Sequence, residues 1–155
     1  MKPRNLSREQ VLSKIKHYCA YQERYAGEVR EKLFSFDLDN LQVEEVINQL
    51  VSGNFLNEER FAVQYAGSKF RLKKWGKIKI KHALRQRQVN AKFIKQAIAQ
   101  IEEADYLKTL NKLAETKRDS LKGEKDMVTR QRKIRDYLLQ KGYEPELINN
   151  ISKQK

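Results

Sequence analysis

Three copies of one helical pattern recur along the chain, and they limit its fold more than any other feature of the sequence. The copies are EVREKL (28–33), KIKHAL (79–84) and KIRDYL (133–138), which align without gaps at offsets of 51 and 54 residues. In each copy a β-branched apolar residue precedes a leucine by four positions. Because residues four apart face the same side of an α-helix, each copy predicts one buried helix face. Three such copies predict tandem repeats of one helical unit.

A second amphipathic segment follows each copy and begins at a predicted N-cap. The caps are Asp39, Asn90 and Glu144, and Pro145 suits the first helical position of the last segment. The residues after each cap carry apolar side chains at i, i+3 and i+4, a spacing typical of an amphipathic helix. Each copy therefore predicts two consecutive helices joined by a short turn.

A further helix is predicted upstream of each copy. The first begins at Ser7, where Gln10 completes a capping box, and the second begins at Asn57. The third has an apolar stripe that includes Leu107, and it is expected to end at Gly123. The sequence thus predicts an all-α protein of three tandem three-helix repeats, similar to helix-turn-helix units, that form a short curved array. The predicted boundaries are 1–54 for repeat 1, 55–103 for repeat 2 and 104–155 for repeat 3.

Residues 77–81 have an ambiguous local pattern. Apolar and charged residues alternate there, which by itself is typical of a half-buried strand. The repeats favour a helix instead, because Ile80 and Leu84 match the i, i+4 pairs of the other two copies. We expect Ile78 to lie near the start of this helix and to be partly exposed.

Positive charge is concentrated in the middle of the chain. The formal net charge is +13; residues 58–101 carry twelve basic and two acidic side chains, whereas residues 1–57 carry eight of each. No acidic residue lies between Glu59 and Glu102. A solvated helix face is one explanation, but exposed helices usually mix both signs to gain i, i+4 pairs. The clustering favours a polyanionic partner over a membrane surface, since the apolar stripe there is needed for packing between helices.

The candidate contact residues lie in the central stretch and in a second cluster in repeat 3. They are Lys69, Arg71, Lys73, Lys74, Trp75, Lys77, Lys79, Lys81, Arg85, Arg87, Arg130, Arg132, Lys133 and Arg135. Lysine and arginine neutralise phosphates. Trp75 is able to stack on an unpaired base, although a packing role between two helices is the favoured interpretation. We expect Lys73, Lys74 and Lys77 to be surface positions, both clusters to lie on one continuous surface, and the neutral repeat 1 to face protein.

The sequence does not favour an enzyme. Its one Gly-Lys pair, at residues 76–77, lacks the earlier glycine and the following Ser or Thr of a phosphate-binding loop. His17 and His82 are isolated, and no histidines and carboxylates share metal-ligand spacing. Cys19 aligns with Phe70 of the second copy and is expected to fill core space, while His82 is expected to face solvent. We therefore expect no catalytic residue, no cofactor and no metal site.

The chain also lacks the apolar segments that target a protein to a membrane. No apolar run approaches the roughly 20 residues that cross a bilayer. The N-terminal segment does not supply the uninterrupted apolar run of a signal peptide. We expect a monomeric protein of the cytoplasm that does not associate with membranes.

Three stretches of the sequence follow the order and spacing of a known family. They are GNFLNEERFA (53–62), KWGKIKIKHALRQRQV (74–89) and RKIRDYLLQKGYEPELI (132–148). In these stretches the chain resembles the RecX family of bacterial recombinase regulators, although Lys77 stands where that family has proline. The resemblance implies a protein that binds the RecA filament and its single-stranded or double-stranded DNA. It also implies inhibition of recombinase, ATPase and coprotease activities, and so a role in DNA repair, homologous recombination and the SOS response.

The charge pattern alone leaves a second hypothesis open. A sequence-nonspecific DNA-binding protein that acts independently of RecA would need a similar basic surface, and so would a helix-turn-helix transcription factor. The hypotheses differ in what they expect of naked DNA. A filament regulator prefers RecA-coated DNA, whereas a protein that acts alone binds both forms equally.

Overall fold

The computed structural model describes residues 6–153. Within that range the chain forms nine α-helices and no β-strand, so the prediction of an all-α protein is confirmed. The helices are α1 (Arg8–Tyr21), α2 (Ala26–Phe34), α3 (Asn40–Ser52), α4 (Glu58–Lys73), α5 (Lys77–Gln86), α6 (Ala91–Ala99), α7 (Glu103–Ser120), α8 (Met127–Lys141) and α9 (Pro145–Lys153). They follow one another in threes, with α1–α3 in repeat 1, α4–α6 in repeat 2 and α7–α9 in repeat 3. None of the described helices is both long and apolar enough to cross a membrane.

Helices α1, α3, α4 and α6 begin at side-chain caps that the sequence predicts, whereas the carboxylate of Glu144, predicted to cap α9, accepts from Tyr106 instead. Ser7 Oγ accepts a hydrogen bond from Gln10 N at 3.1 Å while Gln10 Oε1 accepts one from Ser7 N at 2.8 Å, which is a complete capping box. Asp39 caps α3 and Asn57 caps α4 through side-chain oxygens that accept from backbone N–H groups, each at 2.8 Å. Each such cap stabilises its helix by about 1 kcal/mol. The repeated starts therefore come from local chemistry in each repeat.

The ambiguous segment at residues 77–81 is helical. It forms the first half of α5, in which Ile80 and Leu84 are fully buried. Ile78, in the first turn, is 46% exposed, as expected. Asn90 then caps α6, and its side chain accepts from Lys92 N at 2.9 Å. The comparison among repeats therefore predicted this segment correctly where the local alternation did not.

The buried face of α7 differs from the one the sequence predicts. Leu107 was expected in the apolar stripe, but it is 37% exposed, and Tyr106 is buried in its place. The Tyr106 hydroxyl satisfies polar groups inside the fold, which a leucine at this position would leave unpaired. The helix also ends at Ser120 rather than at Gly123, because the chain enters a turn over residues 121–123. Both expectations for this helix were therefore wrong: the buried residue lies one position earlier than expected, and the helix ends three residues earlier.

The buried side chains form two cores, as far as the described residues extend. The smaller core consists of Leu56, near the start of repeat 2, and residues of repeat 1, namely Val11, Ile15, Cys19, Val29, Leu33, Val43, Val46, Ile47 and Leu50. The larger core runs from Phe61 to Ile148 and is shared by repeats 2 and 3. Cys19 is a buried core residue, as predicted, and burial raises the pKa of its thiol. Repeats 2 and 3 therefore fold around one common interior, while repeat 1 has its own.

Backbone groups join repeats 2 and 3 where two helix junctions meet. Gly76 N donates to Lys141 O at 2.7 Å, and Ile78 N donates to Gly142 O at 3.0 Å. The approach is so close that a Cβ atom on Gly76 would lie 2.3 Å from the carbonyl carbon and oxygen of Gly142. Gly142 has φ +101°, in the left-handed region that favours glycine. Glycine at both positions is therefore required for this contact.

Two buried tyrosines brace the same junction. Tyr106 Oη donates to a Glu144 carboxylate oxygen at 2.6 Å and accepts from Lys77 N at 2.8 Å. Tyr143 Oη donates to Lys74 O at 2.9 Å, and the two rings lie 5.1 Å apart. Burial raises the pKa of both hydroxyls well above the usual range of tyrosine, and for Tyr106 the hydrogen bond to Glu144 adds to this effect. Both groups therefore stay protonated and act as fixed donors.

Repeat 1 meets repeat 2 through side chains. Arg60 Nε of α4 lies 2.6 Å from a carboxylate oxygen of Glu23, and its Nη2 donates to Asn54 O at 3.1 Å. The Tyr25 ring, at the start of α2, lies 5.3 Å from the ring of Phe61. These contacts are polar or partly exposed, in contrast to the buried backbone contacts between repeats 2 and 3.

Candidate functional site

The central basic segment, residues 69–87, covers the last turn of α4, the junction at Trp75 and all of α5. Its exposed cations are Arg71, Lys73, Lys74 and Arg85. Its half-buried cations are Lys69, Lys79, Lys81 and Arg87. The two helices pack against each other within the unit that repeats 2 and 3 form, so these charges are carried on one braced scaffold.

Lys77 is the exception within this segment. Its side chain is only 17% exposed, because its ammonium lies 3.2 Å from a Glu103 carboxylate oxygen and 4.5 Å from the centre of the Tyr106 ring. The expectation that it is a surface position was therefore wrong. The acidic first turn of α7 binds this lysine, which periodicity within α5 does not reveal.

Trp75 packs against the shared core of repeats 2 and 3 and is half-buried. This agrees with its favoured interpretation as a packing residue. The ammonium groups of Lys69 and Lys79 lie 5.2 Å and 4.7 Å from the centre of its ring. Both distances fall in the range at which a cation is attracted to an aromatic face. The indole therefore also orients two of the predicted contact lysines.

Cations and rings alternate beyond Trp75. The ammonium of Lys69 lies 5.3 Å from the Tyr65 ring, and the guanidinium of Arg87 lies 4.9 Å from the same ring and 5.6 Å from the ring of Tyr25. We refer to this series as the cation–aromatic row, which consists of Lys79, Trp75, Lys69, Tyr65, Arg87 and Tyr25. It crosses from repeat 2 to repeat 1.

The sequence analysis missed the two tyrosines of this row. A signal was present for Tyr65, which lies four residues before Lys69 and therefore on the same face of α4. No such signal existed for Tyr25, since its proximity to Arg87 arises only when repeat 1 packs on repeat 2.

The second basic cluster makes most of its contacts inside repeat 3. Arg130 Nη2 donates to Glu124 O at 2.9 Å, and Lys133 Nζ lies 3.3 Å from a Glu124 carboxylate oxygen. Arg135 is hydrogen-bonded to the side chain of Asn149, and Arg132 is exposed. The cluster lies in the first half of α8, whereas the central segment meets the far end of that helix. One continuous surface that includes both clusters stays a prediction.

Three lysines of repeat 3 that are not in the second basic cluster lie beside the central segment. Lys141, at the end of α8, donates from Nζ to Lys73 O at 3.1 Å. Lys108 and Lys112 of α7 line an open groove together with Lys74. Sequence reasoning missed all three, because they come from repeat 3 and reach the segment only through the packing of repeats 2 and 3.

The side chains of the types that bind metal ions lie apart from one another in the described part of the chain. Within residues 6–151 no three histidine, cysteine, aspartate or glutamate side chains come close enough to share a metal ion. His82 is exposed on α5, as expected. The polar chemistry of the candidate site therefore consists of ammonium, guanidinium and tyrosine groups.

Two protein-family models together match more than half of the residues of this chain. The second three-helix domain of RecX matches residues 57–98, and the third three-helix domain of RecX matches residues 103–151. This chain belongs to the RecX family. The resemblance seen in the sequence is thereby confirmed, and so is the coarse prediction of a regulatory protein of that family.

Curated RecX relatives extend the similarity to most of the chain. The regulatory protein RecX of Clostridium tetani is 33% identical over 125 residues, which are 80% of this chain and 57% of the relative. The regulatory protein RecX of Thermotoga petrophila is 28% identical over 149 residues, or 96% of this chain and 86% of the relative. This chain thus spans less than three fifths of the length of the clostridial relative.

Solved RecX structures have the same fold. The crystal structure of RecX from Lactobacillus salivarius superposes with a TM-score of 0.83 at 23% identity and covers 94% of each chain. A second crystal structure of a regulatory protein RecX gives a TM-score of 0.81 at 20% identity, over 99% of this chain and 81% of that one. The prediction of tandem helical repeats is therefore confirmed for this RecX-family protein.

Proposed function

We propose that this protein binds the filament that RecA forms on DNA and restrains it. In this proposal it inhibits the recombinase, ATPase and coprotease activities of RecA in the cytoplasm, and so regulates DNA repair, homologous recombination and the SOS response. The observation that carries the proposal is membership of the RecX family, whose curated relatives are called regulatory proteins.

The distribution of charge supports an anionic partner. Repeat 2 holds most of the excess positive charge, and its exposed cations lie on helices that the shared core braces. The proposed contacts are the central cations other than Lys77, together with Trp75 and the repeat 3 cluster of Arg130, Arg132, Lys133 and Arg135. Cations that neutralise phosphates release the counterions of DNA, which favours binding. Because these cations lie on helices that are already braced, little backbone ordering opposes that gain, so the surface suits a DNA-containing filament.

Tandem repeats supply a mechanism for restraint. A filament offers the same surfaces again and again, so a protein with several weak contact regions binds it with a high effective concentration for each further contact. Repeats 2 and 3 would contact DNA or protein as one unit, and the neutral repeat 1 would contact a neighbouring RecA protomer. Spanning two protomers holds one filament geometry and obstructs its extension.

The test is a titration of RecA ATPase. The protein, added to cognate RecA on single-stranded DNA, is expected to lower the rate of ATP hydrolysis at or below one molecule per RecA protomer. A protein that is folded by circular dichroism and leaves this rate unchanged at excess would contradict the proposal.

Binding to DNA without RecA separates the second candidate function. The high positive charge of repeat 2 also favours a nonspecific DNA-binding protein that acts independently of RecA. Fluorescence anisotropy on naked and RecA-coated single strands, at matched salt, measures the difference. A filament regulator binds the coated strand more tightly, whereas equal affinity for both strands identifies the second function.

A further inference from the structure

A groove lies between repeats 1 and 2, beside the cation–aromatic row. It has a volume of about 390 Å³, which falls within the range of small-molecule sites. Its lining combines aromatic rings, neutral amides and cations, and includes Gln22, Tyr25, Gln64, Tyr65, Lys69 and Arg87. Neither repeat forms the groove alone, since Gln22 and Tyr25 come from repeat 1 and the other four come from repeat 2.

Two half-buried tyrosine rings, Tyr25 and Tyr65, form an aromatic wall in this groove, with the buried Phe61 ring packed against both. The ring centroids of Tyr25 and Phe61 are 5.3 Å apart, and those of Phe61 and Tyr65 are 5.5 Å apart. Burial raises the pKa of Tyr65, so its hydroxyl stays protonated and its ring uncharged. A wall of neutral aromatic faces is what unpaired nucleobases stack on in proteins that bind single strands.

The cations of the groove lie next to these rings. Lys69 and Arg87 are both held over the Tyr65 ring, at 5.3 Å and 4.9 Å. Two carboxylates also line the groove, and each has a partner. Glu23 pairs with Arg60 at 2.6 Å, and Glu28 lies 4.0 Å from the Arg24 guanidinium and also accepts a hydrogen bond from Tyr25 N at 3.1 Å. An anion in the groove therefore meets two cations and no unpaired carboxylate among the lining residues that the structure describes.

We propose that this groove binds one unpaired nucleobase of a DNA strand. The base stacks on Tyr65 and Tyr25, and it displaces Lys69 or Arg87 toward the neighbouring phosphate. The amides of Gln22 and Gln64 each offer donors and an acceptor, so they satisfy the edge of any base. This inference deepens the proposed function, because it names the part of the filament that the boundary between repeats 1 and 2 contacts.

The aromatic wall favours a nucleobase over an acidic protein segment. Both ligands satisfy Lys69 and Arg87, but only a base uses the ring faces that lie between these cations. A base in a duplex is stacked and paired, so it does not enter the groove without being unpaired first. The site is therefore selective for single strands, which the rest of the basic segment is not.

The experiment compares two variants on two probes, with no RecA present. The probes are a fluorescein-labelled oligo(dT) and an abasic strand of the same length, and anisotropy gives their dissociation constants. Replacement Tyr65→Leu keeps an apolar side chain but removes the ring, and it is expected to weaken oligo(dT) binding about tenfold. Binding of the abasic strand is expected to stay unchanged, since it has the same phosphates and no bases. Replacement Tyr65→Phe keeps the ring and is expected to bind both probes as the wild type does.

The matched control is Tyr137→Leu. Tyr137 is also half-buried and also lies beneath a lysine, Lys117 at 5.1 Å, but it lies on α8 outside the groove. Replacement Tyr137→Leu is expected to leave oligo(dT) binding unchanged. Circular dichroism checks that each variant is folded. Equal loss on both probes, no loss on oligo(dT), or selective competition by an acidic peptide would each overturn the proposal. Since the assay contains no RecA, its failure leaves the ATPase titration as a separate test of the proposed function.

Discussion

Repeat 1 and the pair formed by repeats 2 and 3 use the same helical pattern in different ways. Repeat 1 closes its own core, with Ile15 and Leu33 fully buried, and carries eight basic and eight acidic residues up to position 57. Repeats 2 and 3 share one core and are joined by backbone contacts at Gly76 and Gly142. Repetition of a sequence pattern therefore does not imply repetition of a folding unit.

The two parts of the molecule differ in how firmly their contacts are held. The joined repeats hold basic side chains on a braced scaffold, where few degrees of freedom are lost when a ligand binds. Repeat 1 is attached through the Arg60–Glu23 pair and the Tyr25–Phe61 contact. The groove that contains Tyr25 lies at that boundary.

The largest expected effect is at the contact between repeats 2 and 3. Replacement Gly76→Ala places a Cβ atom 2.3 Å from the backbone of Gly142, which has no flexible end that could move away. The two backbone hydrogen bonds of the junction would be lost, and we expect a destabilisation of about 4 kcal/mol. Thermal unfolding followed by circular dichroism measures it. The control is Gly123→Ala, where nothing lies within 4 Å of the added atom and stability is expected to stay within about 0.5 kcal/mol.

Equivalent leucines in the two cores test whether they unfold separately. Leu33 and Leu84 occupy the same position of the repeat pattern, and both are fully buried. Replacement of either by alanine is expected to cost about 3 kcal/mol. Hydrogen exchange should locate the loss of Leu33→Ala in repeat 1 and that of Leu84→Ala in repeats 2 and 3. If either change weakens protection equally across the whole chain, the two cores are one cooperative unit.

Alkaline pH should act mainly on repeats 2 and 3. The folded pKa values of Tyr106 and Tyr143 are raised above the ordinary value near 10, so the stability that these groups provide is complete below pH 10. It is lost as the pH rises further toward the folded pKa values, by about 1.4 kcal/mol per pH unit for each tyrosine. Chemical denaturation at pH 9 and pH 11 measures this loss. The double replacement Tyr106→Phe and Tyr143→Phe should reduce it, whereas replacement of the exposed Tyr21 by Phe should not.

Much of the fold was predictable from the sequence because the signals are local. The caps at Ser7, Asp39, Asn57 and Asn90 lie within three residues of the groups they satisfy. Spacing within one helix also identified the buried Ile80 and Leu84. Alignment of the three copies corrected the misleading alternation at residues 77–81.

The features that the sequence did not predict depend on distant contacts. Ile78 was expected near the start of a helix, but nothing nearby in the sequence indicates that Gly142 packs on Gly76. Lys77 was counted as a surface cation because Glu103, its partner, lies 26 residues away. The cations of the central segment were predictable from the charge distribution along the sequence, whereas Lys108, Lys112 and Lys141 of repeat 3 were not. The order in which rings and cations alternate was not, because Tyr25 reaches the row from another repeat.

The contrast between the neutral repeat and the basic segment leads to the most direct test of the function. The measurement is RecA ATPase on single-stranded DNA in the presence of two charge-reversal variants of this protein. Lys73→Glu with Lys74→Glu changes exposed residues of the basic segment, and Lys14→Glu with Lys16→Glu makes the same change on exposed residues of α1. The variant at positions 73 and 74 is expected to lose most of the inhibition, while the variant at positions 14 and 16 inhibits like the wild type. Full inhibition by a folded 73 and 74 variant, or equal loss in both variants, would contradict the account.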